Sequence, residues 1–276
     1  MDLLAAAKRA LRRRAGFLRI MEVRNKLLLW PTAVATGRRE DAEVRRLLGG
    51  LPPRQAVVAT VIPTYRRPEG LAAAVRSALD QTVRNHVVVV VDDGAGLDAA
   101  GFALLPEDPR LVTVSLSVNI GVAGVVRNVG LRLSDSEFVA FLDDDNVWEP
   151  DHLARALDAL TEPGGPEAVY TALRRLHPDG TELDVLSVPW DRRHAAEEGF
   201  LDTNAFVARR NRDLRFSRLR RHRDVVPRED WELVFRYSRR RRIAHLPVPT
   251  VRYLVNPASY WSAWGRQPGP APEPTG

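Results

Sequence analysis

Cysteine is absent from all 276 residues. Disulfide bonds and thiolate metal sites are therefore excluded. No uninterrupted apolar run is long enough to span a bilayer. The arginine-rich start, residues 1–21, lacks the apolar core and the small-residue cleavage site of a signal peptide. From these absences we expect a cytoplasmic protein.

Two common phosphate-binding loops are missing as well. The P-loop pattern GxxxxGK[ST] does not occur, and no GxGxxG follows a predicted strand. These absences argue against a P-loop NTPase and against a dinucleotide-dependent enzyme. The sequence also shows no internal repeat.

The positive charge is concentrated at the start of the chain. Residues 1–55 contain 13 Lys and Arg against 5 Asp and Glu, a net charge of +8, whereas the remaining residues sum to −2. Because the main body is nearly neutral, the pI near 10.2 does not indicate a nucleic-acid partner. Basic amphipathic helices do bind anionic membranes, so residues 1–30 are a candidate for peripheral membrane contact. The alternative is an ordinary extension packed on the domain, with its arginines solvated.

The pattern of apolar residues divides the chain into three regions. Residues 1–55 form a basic helical extension, with one helix over residues 3–30 ended by Pro31 and a short second helix over residues 41–48. Residues 56–266 form the main domain. The tail, residues 267–276, is rich in Pro and Gly and is predicted to be disordered.

Strands alternate with helices through the first half of the main domain. This order predicts βαβ units, and so an α/β fold with a mainly parallel sheet flanked by helices. The predicted strands there are residues 56–62, 86–91, 111–116 and 138–142, with helices between them, one of them near residues 97–105. The later half is less regular, with predicted strands at residues 169–173, 183–188, 200–207 and 243–255 and a helix at residues 229–237.

Two of the predicted strands end in acidic residues. Asp92 and Asp93 follow the second strand, and three aspartates, residues 143–145, follow the fourth. The carboxyl ends of parallel strands share one crevice, where ligands bind. Three adjacent carboxylates there suit a hard cation such as Mg²⁺ or Mn²⁺ together with substrate phosphates. The alternative for residues 143–145 is a solvated acidic turn that caps the helix beginning near Pro150. The alternative for Asp92 and Asp93 is a plain turn in which an aspartate caps a helix.

Six motifs in order resemble the inverting family-2 glycosyltransferases of GT-A fold. They are VIPTYRRP (61–68), ALDQT (78–82), VVVVDDG (88–94), NIGVAGVVRNVG (119–130), FLDDDNVWEPDHL (141–153) and EDW (229–231). The resemblance covers roughly residues 56–256. It implies a Rossmann-like GT-A domain, a nucleotide-sugar donor, expected to be a UDP-sugar, and a Mn²⁺ or Mg²⁺ ion. It does not decide whether the acceptor is a glycan, a lipid-linked sugar or a small molecule.

The resemblance also implies roles for individual residues. In the Asp-x-Asp motif, Asp143 would face the ribose and Asp145 would bind the metal, with Asp143 as the second candidate ligand and Asp144 beside the donor. Asp93 or Asp92 would face the base. The remaining donor-binding residues would be Pro63, Thr64, Tyr65, Arg67 and Arg127.

The acidic start of the helix at residues 229–237 matches the position of the family's general base. Asp230 would be that base, with Glu229 beside it in the catalytic group. Free N–H groups in the first helical turn stabilise a carboxylate, so we expect Asp230 to be anionic at neutral pH. The alternative is that both acids only complement the helix dipole.

The sequence departs from the family pattern at three places. Ala95 and Asn146 replace a common Ser and Asp. Asn256 stands where many relatives have a metal-binding histidine, for which His245 is a weaker substitute. For the arginine runs 209–223 and 239–242 we favour solvated surface over an anion site.

Two rival functions are compatible with the architecture. A sugar-nucleotide pyrophosphorylase would carry a Gly-rich, basic phosphate loop after the first strand, where this chain has Pro63, Thr64 and Tyr65. A binding-only module of glycosyltransferase type would not need the intact Asp-x-Asp motif and Glu229-Asp230. Both rivals are therefore less well supported than glycosyl transfer.

Overall fold

The computed structural model describes residues 16–50, 55–97, 102–222 and 225–255. The α-helices are α1 (Phe17–Leu28), α2 (Trp30–Leu48), α3 (Pro68–Leu79), α4 (Ala123–Arg132), α5 (His152–Thr161), α6 (Arg192–Glu197) and α7 (Glu229–Tyr237). The strands are β1 (Val58–Thr64), β2 (His86–Asp92), β3 (Leu111–Ser115), β4 (Phe138–Phe141), β5 (Asn146–Trp148), β6 (Ala168–Leu176), β7 (Glu182–Leu186), β8 (Phe206–Arg209) and β9 (Ile243–Leu254).

These strands form one mixed sheet in the order β3-β2-β1-β4-β8-β6-β9-β5, with β7 paired to β6. The first four strands are parallel; α3 forms the crossover from β1 to β2, and α4 forms the crossover from β3 to β4. β8 runs antiparallel to both β4 and β6, whereas β9 is parallel to β6. The predicted α/β class is confirmed, and its parallel half holds the strand ends that carry the acidic motifs.

β2 and β4 are buried along their whole length, as their apolar runs predicted. Five consecutive valines in β2 suit a strand covered on both faces, because β-branched side chains pack well on a pleated surface. β1 lies between these two strands, with Thr64 opposite Asp92 and Val61 opposite Phe141. This register places the ends of all three strands at one edge of the sheet.

The N-terminal helices differ from their prediction. Pro31 does not end a helix; it lies in the first turn of α2, where its missing N–H has no partner to lose. The chain bends at Leu29 instead, and α2 runs for 19 residues where only its end, residues 41–48, was predicted as a helix. Val44 and Leu47 of α2 are buried in the core over β1 to β3. The extension is therefore packed on the main domain.

Other local predictions are wrong or concern residues outside the described part of the chain. The predicted strand at residues 200–207 begins only at Phe206, after a short 3-10 turn, and β5 and α6 were not predicted. Part of the predicted helix near residues 97–105, the tail and residues 1–15 lie outside the described residues. Within the described residues, no helix is long and apolar enough to cross a membrane.

Several arginines that were expected to be solvated form internal ion pairs. Glu40 of α2 is fully buried and accepts hydrogen bonds from Arg218 at 2.8 and 2.9 Å and from Arg215 at 2.9 Å. Arg221 pairs with buried Glu232 in the same way. A buried carboxylate is stable only with such partners, so these arginines join the segment after β8 to α2 and α7.

Candidate active site

The carboxyl ends of β1, β2 and β4 open into a cavity of about 470 Å³. Its wall contains the predicted donor and metal residues Pro63, Thr64, Tyr65, Arg67, Asp93, Arg127, Asp143, Asp144 and Asp145. Asn119, Gly121, Ala123 and Val126 complete the lining. Of the predicted donor and metal residues, Asp92 alone is not part of this wall.

The two aspartates after β2 have different surroundings. Asp92 is fully buried, and its carboxylate oxygens accept hydrogen bonds from the N–H groups of Ala95 and Leu97, both at 3.2 Å. Asp93 lines the cavity and accepts from the N–H groups of Ile120 at 2.7 Å and Gly121 at 2.8 Å. Asp92 thus shapes the loop, and Asp93 joins it to the start of α4.

Gly94 permits this arrangement. Its φ of 71° lies in the left-handed region, and a Cβ there would sit 2.5 Å from the backbone of residues 118–119. Only glycine therefore allows the loop after β2 to approach that segment closely enough for Asp93 to reach Ile120.

The carboxylates after β4 are compensated by neighbours from the loop after β1. Thr64 Oγ1 donates to Asp144 at 2.7 Å, and Arg67 Nη1 donates to Asp145 at 2.7 Å and to Asp144 at 3.3 Å. Burial nevertheless raises the pKa of both Asp144 and Asp145, and neighbouring carboxylates add to the effect, whereas Arg67 opposes it. The Asp145 side chain stays 41% exposed, so it remains open to the cavity.

Arg127 connects the two acidic groups of the site. Its Nη2 donates to Asp143 Oδ1, and its Nη1 lies 3.9 Å from Glu229 Oε1 at the start of α7. Burial alone would lower the pKa of Arg127, but Asp143 and Glu229 hold it above its ordinary value. A guanidinium that stays charged between the Asp-x-Asp motif and α7 can attract a diphosphate.

Asn204, in the short turn before β8, supports Asp143, and sequence reasoning predicted neither it nor its neighbour Asp202. Asn204 accepts from the N–H of Asp143 at 2.6 Å and donates its Nδ2 to Asp143 Oδ2 at 3.1 Å and to Asp202 Oδ1 at 2.6 Å. Trp148 Nε1 donates to the Asn204 carbonyl at 2.8 Å. Burial and the charge of Asp143 raise the pKa of Asp202 to about 6. No sequence pattern pointed to this contact, because 61 residues separate Asn204 from Asp143.

We expect Asn204→Ala to destabilise the protein and to weaken nucleotide binding. The substitution leaves the N–H of Asp143 without its acceptor, which costs about 1–3 kcal/mol for a buried group. Asp143 then loses its fixed position beside Arg127. Chemical denaturation gives the first effect and calorimetric titration of a nucleoside diphosphate gives the second. Asn211→Ala, on the loop after β8 and outside the cavity wall, is the control for nucleotide binding.

The pKa of Asp230 is higher than its place at the start of α7 would predict. Burial, then Glu229 and Asp202, raise the pKa of Asp230 to about 7. Its carboxylate still accepts from the N–H of Trp231 at 2.7 Å, and this hydrogen bond opposes the shift. Two neighbouring carboxylates and a dry environment thus outweigh the stabilisation expected from the helix start. A carboxyl group with a pKa near 7 is matched to proton transfer at neutral pH.

The cavity suits Mg²⁺ or Mn²⁺ as a partial site. Asp143 and Asp145 supply carboxylate oxygens, which these cations prefer. Within residues 16–50, 55–97, 102–222 and 225–255, no three acidic or histidine side chains are grouped to hold a metal. Asn256 lies outside the described residues, and His245 stacks on Tyr170 instead. Two carboxylates fit an ion that keeps bound waters and takes further ligands from a diphosphate.

Two solved structures in complex with nucleotide sugars share this fold. TarS from S. aureus, residues 1–349 in complex with UDP-GlcNAc, is 20% identical with a TM-score of 0.54, over 75% of this chain and 60% of that one. The mannosyltransferase PcManGT from Pyrobaculum calidifontis, in complex with GDP-Man and Mn²⁺, is 19% identical with a TM-score of 0.53, over 85% and 71%. The fold is therefore the GT-A fold, as predicted.

The sequence comparison identifies the family. The model of "Glycosyl transferase family 2" matches residues 60–237, well over half of the chain, and the protein belongs to this family. The succinoglycan biosynthesis protein ExoW of Rhizobium meliloti (strain 1021) is 40% identical over 111 residues, 38% of this chain and 34% of that protein. The β-1,3-glucosyltransferase WfaP of Escherichia coli, which uses UDP-Glc and α-D-GlcNAc-diphosphoundecaprenol, is 30% identical over 92 residues, 33% and 36% of the two chains. The chain thus matches about a third of the length of these relatives.

Proposed function

We propose that the protein is an inverting glycosyltransferase that moves a sugar from a nucleotide-sugar donor, a UDP-sugar as the expected case, to an acceptor. One observation carries the proposal: Asp93, Arg127 and the three carboxylates of residues 143–145 share one cavity at the ends of parallel strands. This is where open α/β sheets bind ligands. The family match supports the same reaction class.

The donor's nucleoside would lie against the loop after β1. Pro63, Thr64 and Tyr65 line that part of the cavity, and Asp93 closes it on the side of β2. Tyr65 is 40% exposed and offers a ring face to a base or ribose. Because Asp93 already accepts two backbone hydrogen bonds, it would position the loop that meets the base.

The diphosphate would lie between Arg67 and Arg127. These side chains are paired with Asp145 and Asp143, and they can turn part of their N–H donors towards phosphate oxygens. Asp143 and Asp145 would hold Mn²⁺ or Mg²⁺, which, when bound, stabilises the negative charge of the leaving diphosphate.

Asp230 would act as the general base. The acceptor oxygen forms a bond to the anomeric carbon while the bond from that carbon to the diphosphate breaks on the opposite face, which inverts the configuration. The acceptor proton moves to the Asp230 carboxylate. Glu229, which lies 3.9 Å from Arg127, would keep the donor-side guanidinium in place and hold the pKa of Asp230 high.

For the acceptor we propose a carbohydrate, free or lipid-linked, or a small molecule. A lipid-linked acceptor is consistent with the name of WfaP, and it agrees with the peripheral membrane contact proposed for residues 1–30. No nucleic-acid partner is proposed, because the body of the chain carries a net charge of only −2 outside residues 1–55.

A thermal-shift screen tests the donor. UDP-Glc, UDP-GlcNAc and GDP-Man, each with Mn²⁺, are added at about 100 times their dissociation constants. A ligand that binds only the native state should then raise the melting temperature by about 5–10 °C. The ligand that does so is then incubated with candidate acceptors, and sugar transfer is measured by mass spectrometry.

The rival functions give different results in the same assays. A pyrophosphorylase would form a nucleotide sugar from a nucleoside triphosphate and a sugar 1-phosphate. A binding-only module would show the shift but neither transfer nor slow hydrolysis of the donor. If no nucleotide sugar shifts the melting temperature with Mn²⁺ or Mg²⁺, the proposed donor class is wrong.

A further inference from the structure

The corner between α1 and α2 exposes an unusual amount of apolar surface. The four most exposed large apolar side chains of the described residues all lie there: Leu27 (75%), Trp30 (65%), Leu28 (62%) and Val23 (53%). Other exposed apolar residues in the described chain, such as Leu104 and Val118, are at most 48% exposed and lie elsewhere in the sequence. Contiguous exposed apolar surface marks an interaction site.

Basic side chains are interspersed with these apolar ones. We call this surface the N-terminal face; it consists of Arg19, Val23, Arg24, Lys26, Leu27, Leu28 and Trp30, all of them exposed. On a helix, residues 19, 23 and 27 follow one another along one side, and residues 24 and 28 lie next to them. The opposite side of α1 buries Leu18, Glu22 and Asn25.

The N-terminal face has no exposed acid. Glu22 is the only acidic residue between positions 16 and 39, and it is buried in ion pairs with Lys26 and Arg239. The preceding residues 1–15 add five basic residues against one acidic residue. The face therefore combines apolar side chains with a positive field.

α1 is fixed to the start of α7, which carries the proposed general base Asp230. Its Phe17 ring lies 6.4 Å from the ring of Trp231, the residue after Asp230, and Asn25 Nδ2 donates to the carbonyl of Val226 at 2.9 Å. Any partner that binds α1 is therefore held at a fixed position relative to the start of α7.

We propose that the N-terminal face binds an anionic lipid bilayer. Val23, Leu27, Leu28 and Trp30 enter the interfacial region, where a tryptophan ring is favoured, and Arg19, Arg24 and Lys26 meet the lipid phosphates. A second copy of the chain fits less well, because a two-fold contact on this face brings its own cations together. The link from membrane binding to a lipid-linked acceptor rests on the proposed function. The membrane binding itself does not depend on that function.

Vesicle co-sedimentation of the full chain tests this proposal. Phosphatidylcholine vesicles with and without 30% phosphatidylglycerol are compared at low salt. We expect binding only to the anionic vesicles, a loss of about tenfold or more for the double variant Leu27→Ser with Trp30→Ser, and about fivefold for each of Arg19→Gln and Arg24→Gln. Leu104→Ser, an exposed apolar residue elsewhere, is the matched control and should bind as wild type does.

Two further measurements make the result specific. Brominated lipid should quench the fluorescence of the wild type more than that of Trp30→Phe, because Trp30 enters the bilayer. The proposal is overturned if the wild type does not bind anionic vesicles, or if the wild type and the double variant bind them equally. It is also overturned if sedimentation velocity shows a wild-type dimer that the double variant abolishes. Melting temperatures confirm that each variant folds. The donor-induced thermal shift of the double variant should be unchanged, which separates failure here from failure of the proposed catalytic function.

Discussion

Replacing Asp230 by asparagine is expected to reduce turnover by about 10²–10⁴-fold, the usual contribution of a positioned general base. Asparagine has the same shape and can still accept the 2.7 Å hydrogen bond from the N–H of Trp231, so α7 keeps its start. Its amide cannot take up the acceptor proton. Nucleotide binding should persist, because Asp230 is not part of the cavity wall. Turnover at saturating donor measures the loss, and titration calorimetry confirms binding.

Glu229→Gln provides the matched comparison. This change removes the carboxylate, 3.9 Å from Arg127, that keeps the guanidinium in place for the diphosphate, so it should weaken donor binding more than it lowers turnover. If Asp230→Asn transfers sugar at close to the wild-type rate, the base is another group. Asp202, whose pKa is also raised, to about 6, would be the next carboxylate to test.

The pH profile gives a second readout for the same assignment. The general base acts in its unprotonated form, and the pKa of Asp230 is raised from 3.8 to about 7. Wild-type turnover at saturating donor should therefore be low at pH 6 and rise as the pH passes through about 7. Because Glu229 contributes to this rise in pKa, the midpoint in Glu229→Gln should move to lower pH. A Glu229→Gln midpoint equal to that of the wild type would show that Glu229 does not raise the pKa of the base.

Local sequence patterns predicted the elements that are governed by burial. Five consecutive valines made β2 a strand covered on both faces, and α7 was predicted with its observed bounds, residues 229–237. The prediction that Pro31 ends a helix was wrong, because proline disrupts the interior of a helix but fits its first turn. Which of these two positions a proline occupies depends on the preceding residues, and here the bend at Leu29 decides it.

The site was predictable where residues lie next to a strand end and unpredictable where contacts span the sequence. The register of the parallel strands brings Thr64 and Asp144 together. The acidic motifs predicted that these strand ends share one crevice. Asn204 reaches Asp143 from the turn before β8, 61 residues away in the sequence, and no periodicity encodes such a contact. Likewise, the charge of Asp230 depends on Asp202, which only the folded chain places nearby. The motifs thus defined the cavity wall, and tertiary packing defines its electrostatics.

Asp145→Asn is expected to fold and to lose metal-dependent nucleotide binding. Asp145 is the most open of the site's proposed metal ligands, with 41% of its side chain exposed, and its carboxylate is held by Arg67 at 2.7 Å rather than by the core. An amide removes one of only two proposed protein ligands. Even partners in the outer shell of a metal site are worth 10–100-fold in affinity, so we expect the dissociation constant for UDP with Mn²⁺ to rise at least about 100-fold. Titration calorimetry with Mn²⁺ and with EDTA measures it.

Asp158→Asn makes the same chemical change at an exposed position on α5, outside the cavity, and should bind as the wild type does. In EDTA, Asp145→Asn should bind UDP no more weakly than the wild type, because the substitution frees Arg67 from its ion pair and leaves a cation available to the diphosphate. The two conditions therefore separate a lost metal ligand from general damage to the cavity, which would weaken binding in both. Wild-type affinity of Asp145→Asn in the presence of Mn²⁺ would show that Asp145 does not bind the metal.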